Sequence, residues 1–76
     1  MILSDEQIHE LARRIKDIMR FKEVQFFKQI NSDIYFMGLS SDNEEFRIRY
    51  KPSMKTVFHY KKGSWEQIKG LRIELE

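Results

Sequence analysis

Between Asp5 and Arg20 the apolar residues Ile8, Leu11, Ala12, Ile15, Ile18 and Met19 recur three and four positions apart, which gathers them on one stripe of a helix. Ser4-Asp5-Glu6-Gln7 has the spacing of a capping box, in which the Ser4 hydroxyl and the Gln7 side chain satisfy each other's backbone amides. Acids open the segment, and Arg13, Arg14, Lys16 and Arg20 follow, as the helix dipole favours. Residues 5–20 are therefore predicted to be helical. Beyond Lys22 the pattern changes to short aromatic and β-branched runs, with strands expected at about 23–30, 34–40, 45–51 and 55–62. Asn31-Ser32-Asp33, Ser40-Ser41-Asp42-Asn43 and Pro52-Ser53 supply turn chemistry between them.

Gly63 closes the fourth run, and Ser64 and Gln67 repeat the capping spacing ahead of Trp65 and Ile68. This suggests a short C-terminal helical turn stopped by Gly70, after which Leu71, Ile73 and Leu75 alternate with Arg72, Glu74 and Glu76 as a fifth strand. A competing pattern reads 64–75 as one irregular strand. The fold class expected is α+β, with an N-terminal amphipathic helix packed on one face of a four- to five-stranded antiparallel meander. Residues 1–76 are expected to form a single domain, with no internal repeat or linker.

One helix covers one face of such a sheet, so the other face carries the functional question. With Pro52-Ser53-Met54 as a three-residue loop, Lys51 sits opposite Lys55, Arg49 opposite Val57 and Arg47 opposite His59. Phe46, Ile48, Phe58 and Tyr60 then share the opposite side, separating apolar from basic positions. A two-residue loop would mix Phe58 with the arginines. On the first strand Val24, Phe26 and Ile30 share a face, leaving Phe27 to point away between Gln25 and Gln29. Either Tyr35, Met37 and Leu39 or Ile34 and Phe36 must join Phe27, so the second face has an apolar half beside a basic one.

Composition narrows the function classes. The chain is 41% hydrophobic and 34% charged, with six Phe, three Tyr and one Trp, which is too apolar for disorder. A domain this small buries only about 60% of its unfolded surface, so a deep reaction cleft would compete with the core. No cysteine is present, which excludes disulfides and thiolate metal sites and suits a reducing compartment. No apolar run approaches the roughly 18 residues of a membrane span, and the start Met1-Ile2-Leu3-Ser4-Asp5-Glu6 lacks signal-peptide features. A soluble, cytoplasmic protein without a membrane partner is expected. The net charge of +2 is unevenly spread, because Phe46 to Trp65 contains Arg47, Arg49, Lys51, Lys55, Lys61 and Lys62 and no acid.

Chemistry-bearing constellations are sparse. His9 and His59 have no metal-ligand companions at fixed spacing, and Asp42, Glu44 and Glu45 lack the alternation of a calcium loop. Serines occupy turns and caps, with no nucleophile elbow or phosphate loop. No enzyme activity, cofactor or metal is expected. The expected function is a small regulatory or inhibitory protein that occupies a protein partner through the sheet face opposite the helix. Phe27 would anchor with Tyr35 and Met37, or with Phe36 in the other register, and Arg47, Arg49, Lys51, Lys55, His59 and Lys61 would steer an acidic partner. The alternative is nucleic-acid binding by the basic hairpin 47–62, with bases stacked on aromatics. The apolar half also fits a homodimer contact, or a cover over the C-terminal segment with Trp65 in the core.

Overall fold

Helix α1 spans Asp5–Met19 in the computed structural model, which describes residues 3–75. The Ser4 hydroxyl accepts from the Gln7 amide at 3.2 Å, and the Ser4 amide donates to Gln7 Oε1 at 2.9 Å, completing the capping box. Arg20 ends the helix in the left-handed conformation at φ 59°, its amide donating to the Lys16 carbonyl. Leu11 and Ile15 are fully buried, whereas Ile18 stays half exposed because the sheet reaches only part of the stripe. Among the described residues no helix is long and apolar enough to cross a membrane.

Five strands follow: β1 (Glu23–Ile30), β2 (Asp33–Leu39), β3 (Glu45–Lys51), β4 (Thr56–Lys61) and β5 (Ser64–Arg72), all antiparallel and in sequence order. Two hairpins turn on two residues with positive φ, Asn31-Ser32 and Lys62-Gly63, whose twist matches the flanking strands. The Ser40 hydroxyl accepts from the Asp42 and Glu44 amides and organises the β2–β3 loop.

The core forms between α1 and one face of the sheet. Ile34, Phe36, Ile48, Tyr50 and Val57 meet Leu11, Ile15 and Phe21, with Leu3, Leu71 and Ile73 closing the sides. Phe21 lies directly over Gly38, where any side chain would occupy the ring's space, and it also packs on Phe46 with centroids 5.5 Å apart. After Arg72 the chain turns back toward α1. The buried Tyr50 hydroxyl donates to the Ile73 carbonyl, the Ile73 amide donates to the Lys55 carbonyl, and Arg14 donates to the Glu74 carbonyl.

Three sequence expectations are corrected. The helical turn expected after Ser64 is absent, because 64–72 pair along β4 as β5. One turn of helix would leave most of its backbone groups unbonded, whereas β4 offers a full ladder to pair with. The competing single strand describes this segment better, although an irregularity opposite Val57, with Gly70 at φ 75°, interrupts the pairing. Of the expected fifth-strand alternation, Glu76 lies outside the described residues.

The β3–β4 loop holds four residues, not three: Lys51 pairs with Thr56, Tyr50 with Val57, Arg49 with Phe58 and Ile48 with His59. The Lys51 carbonyl accepts from both the Met54 and Lys55 amides, and Lys55 takes φ 56° to complete the turn. This one-residue shift moves every β4 side chain to the other face. In β1, Phe26 pairs with Phe36 but Lys28 with Tyr35, so Phe27 is an extra, bulged residue. The bulge carries Gln29 to the helix side and Ile30 away from it, reversing the expected placement of both.

Candidate functional site

The sheet face turned away from α1 is built from alternate residues of all five strands. β1 contributes Phe27 and Lys28, β2 Tyr35 and Met37, and β3 Arg47, Arg49 and Lys51; β4 adds Phe58 and Tyr60, and β5 adds Trp65. Tyr35 and Trp65 stand on strands three steps apart, about 14 Å across a flat sheet. Their ring centroids are nonetheless 5.8 Å apart at 67°, so the two side chains approach each other across β3 and β4, and together with Phe27 they line a concave groove. Tyr60 meets Trp65 at 5.3 Å and 69°. Both geometries are the edge-to-face arrangement that aromatic quadrupoles favour.

Cations lie between these rings. The Arg49 guanidinium sits 5.5 Å from the Tyr35 centroid and 5.9 Å from that of Trp65, and Arg47 is 5.7 Å from Tyr60. Lys28 reaches Phe27 at 5.2 Å and Tyr35 at 5.3 Å, and Lys51 reaches Phe58 at 5.7 Å. At exposed sites each such contact contributes only about 0.5–1 kcal/mol, so its main effect is to hold the charges in place over the face. Arg49 is further fixed by Asp33, whose Oδ2 accepts from Nε at 3.0 Å and from Nη2 at 2.5 Å. That pair is three-quarters or more shielded from solvent, so Arg49's charge is largely spent on Asp33. Among the described residues, no carboxylate stands beside Lys28 and Arg47 in the groove they line with Phe27, Tyr35, Met37 and Trp65, a concavity of about 420 Å³. Glu23 and Glu45 lie beyond Met37, flanking Leu39 at one end of the face.

Of the residues expected at the site, Phe27, Tyr35, Met37, Arg47, Arg49 and Lys51 come together here. Phe36 borders the groove but offers it almost no surface: strand alternation turns its ring into the core, where it is 2% exposed and meets Phe26 edge-on at 6.2 Å. His59 and Lys61 are also excluded, because the four-residue loop puts them on the side of Ile48, facing the helix layer. Lys55 is in the β3–β4 turn, with its ammonium 3.4 Å from the Glu74 carboxylate. The expected separation of an apolar half from a basic half is replaced by an alternation of rings and cations. Nor does the C-terminal segment cover the face, since it forms the edge strand and then returns to the helix side. Trp65, expected in the core, is half-buried on the open face instead.

Sequence reasoning missed Lys28, Phe58, Tyr60 and Trp65 as site residues. Trp65 follows once 64–72 is taken as a strand, and Phe58 and Tyr60 follow from the loop length. Lys28 depends on the bulge at Phe27, for which the sequence carries no turn residue as a signal.

Away from this face, Glu10 is held down from 4.5 to about 2 by hydrogen bonds from Arg13 and then Arg14, and burial raises the Tyr50 phenol, with the Glu74 charge adding to it. Among the described residues no group of three or more His, Asp or Glu is placed to hold a metal ion. Comparisons with known protein families, with curated proteins and with solved structures find no match, so the functional reading rests on the geometry of this face.

Proposed function

We propose that the chain is a non-catalytic binding protein that regulates or inhibits a macromolecular partner by occupying it with the concave sheet face. The observation that carries this reading is the uncovered aromatic surface: Phe27 is 67% exposed and Tyr60 42% exposed, beside the half-buried Tyr35 and Trp65. Large rings left in water on one face, with cations held between them, are the composition of a contact surface. With rings and cations interleaved, the fitting partner offers negative charge and flat or apolar groups in alternation.

Site-directed photocrosslinking in a cell extract tests the face itself, with a benzophenone amino acid replacing Phe27 in one variant and the helix residue Lys16 in another. Both positions are exposed and lie on opposite sides of the sheet. Adducts should form predominantly from position 27. Equal yields of the same adducts from both positions would remove this face from the function.

A further inference from the structure

The partner class follows from what lines the groove. Its walls are the rings of Phe27, Tyr35 and Trp65, its charged groups are Lys28 and Arg47, and no carboxylate of the described residues takes part. We infer that the concave face binds single-stranded nucleic acid, with a base against the aromatic wall and its phosphates at Lys28 and Arg47. The inference rests on the binding-face reading above and names the occupant of that same site.

Three features favour this occupant over an acidic protein segment. First, the lining is mainly aromatic and cationic: among the described residues Met37 and the fully buried Ile48 are its aliphatic members, whereas a protein anchor usually inserts among aliphatic groups. Every nucleobase has a π-face, so rings interleaved with cations bind a strand without needing its sequence. Second, the bulge sends both Phe27 and Lys28 to the open face, although strict alternation would put neighbours on opposite faces. A stacking ring and a phosphate-binding ammonium are thereby delivered side by side. Third, Glu23 and Glu45 place negative charge at the Leu39 end, while Asp33 is neutralised by Arg49. A polyanion is thus repelled from one end and confined to a path from Phe27 and Lys28 across to Arg47, Tyr60 and Trp65. Duplex nucleic acid hides its base faces and has no means of using this wall.

Trp65 is the sequence's one tryptophan and lines the groove, so its fluorescence reports occupancy without a label. The full chain is titrated with short homopolymeric DNA and RNA single strands, with a duplex of equal length, and with polyglutamate, at low and at physiological salt. Single strands should quench Trp65 saturably at micromolar concentration. With Lys28 and Arg47 each neutralising one phosphate, log affinity should fall against log salt with a slope of about −1.4. Phe27→Ala should weaken binding about 5- to 150-fold at unchanged slope, because it removes a stacked base. Arg47→Ala should reduce the slope by about 0.7. Phe27 is mostly solvent-exposed, so its variant retains the fold, which circular dichroism verifies.

No quenching at low salt, equal affinity for duplex or polyglutamate, or an unchanged Phe27→Ala affinity would overturn the inference. Position-27 crosslinks to proteins without oligonucleotide binding would also overturn it while leaving the binding face intact. Equal crosslinking from both sides, by contrast, would remove the face as a whole.

Discussion

Replacing Gly38 by Ala should strain the layer that holds the helix to the sheet. A Cβ built at Gly38 lies 2.5, 2.6 and 2.9 Å from three ring carbons of Phe21. Carbon atoms at rest prefer about 3.5–4.0 Å, so the ring must retreat by about 1 Å. It has little freedom to do so, being 7% exposed and packed on Phe46, itself a residue of β3. Overpacking of this kind costs about 1–3 kcal/mol. In a domain of this size each kcal/mol lowers Tm by about 4–8 °C, so a fall of about 4–24 °C is expected. Urea unfolding followed by Trp65 fluorescence and by circular dichroism measures the change. A double-mutant cycle with Phe21→Leu isolates the cause, because the smaller side chain gives the new methyl room. The double variant should be more stable than the sum of the single effects by about 1 kcal/mol or more. A Gly38→Ala protein within about 0.5 kcal/mol of wild type, or strict additivity in the cycle, would refute the assignment of this contact.

Two further outcomes test other parts of the fold. Tyr50→Phe removes the buried donor to the Ile73 carbonyl and should cost about 1–3 kcal/mol in urea unfolding, with faster hydrogen exchange at the Ile73 amide; unchanged stability and exchange would show that this bond does not anchor the C-terminal segment. Glu10, whose folded pKa is depressed from 4.5 to about 2, contributes stability above pH 4.5 and loses it as pH falls through about 2. The acid limb of the stability profile should therefore flatten in Glu10→Gln, and more at low salt because the pair is on the surface; an acid limb identical to wild type would exclude the Arg13 and Arg14 contacts as its source.

The helix was legible because its signals are local. Ser4 and Gln7 cap each other across three residues, and the apolar spacing from Ile8 to Met19 needs no partner to be recognised. The meander order was legible for a similar reason, since short turns such as Asn31-Ser32 join strands that must then be neighbours. The sequence also located the aromatic and cationic material, including Phe27, Tyr35, Met37, Arg47, Arg49 and Lys51. Its reading of a helical turn after Ser64 failed because capping spacing is a local signal, and the backbone pairing offered by β4 outweighs it.

What the tertiary structure alone decided was which side chains share a face. Side-chain direction in a strand has a period of two, so one residue more in the β3–β4 loop or one bulge at Phe27 reverses everything downstream. Composition is unchanged by such a shift, and no local propensity registers it. The loop length brought Phe58 and Tyr60 to the arginines and sent His59 and Lys61 away, while the bulge placed Lys28 beside Phe27. The approach of Trp65 on β5 to within 5.8 Å of Tyr35 on β2 depends on all the strands between them, and it turns a row of rings and charges into a groove.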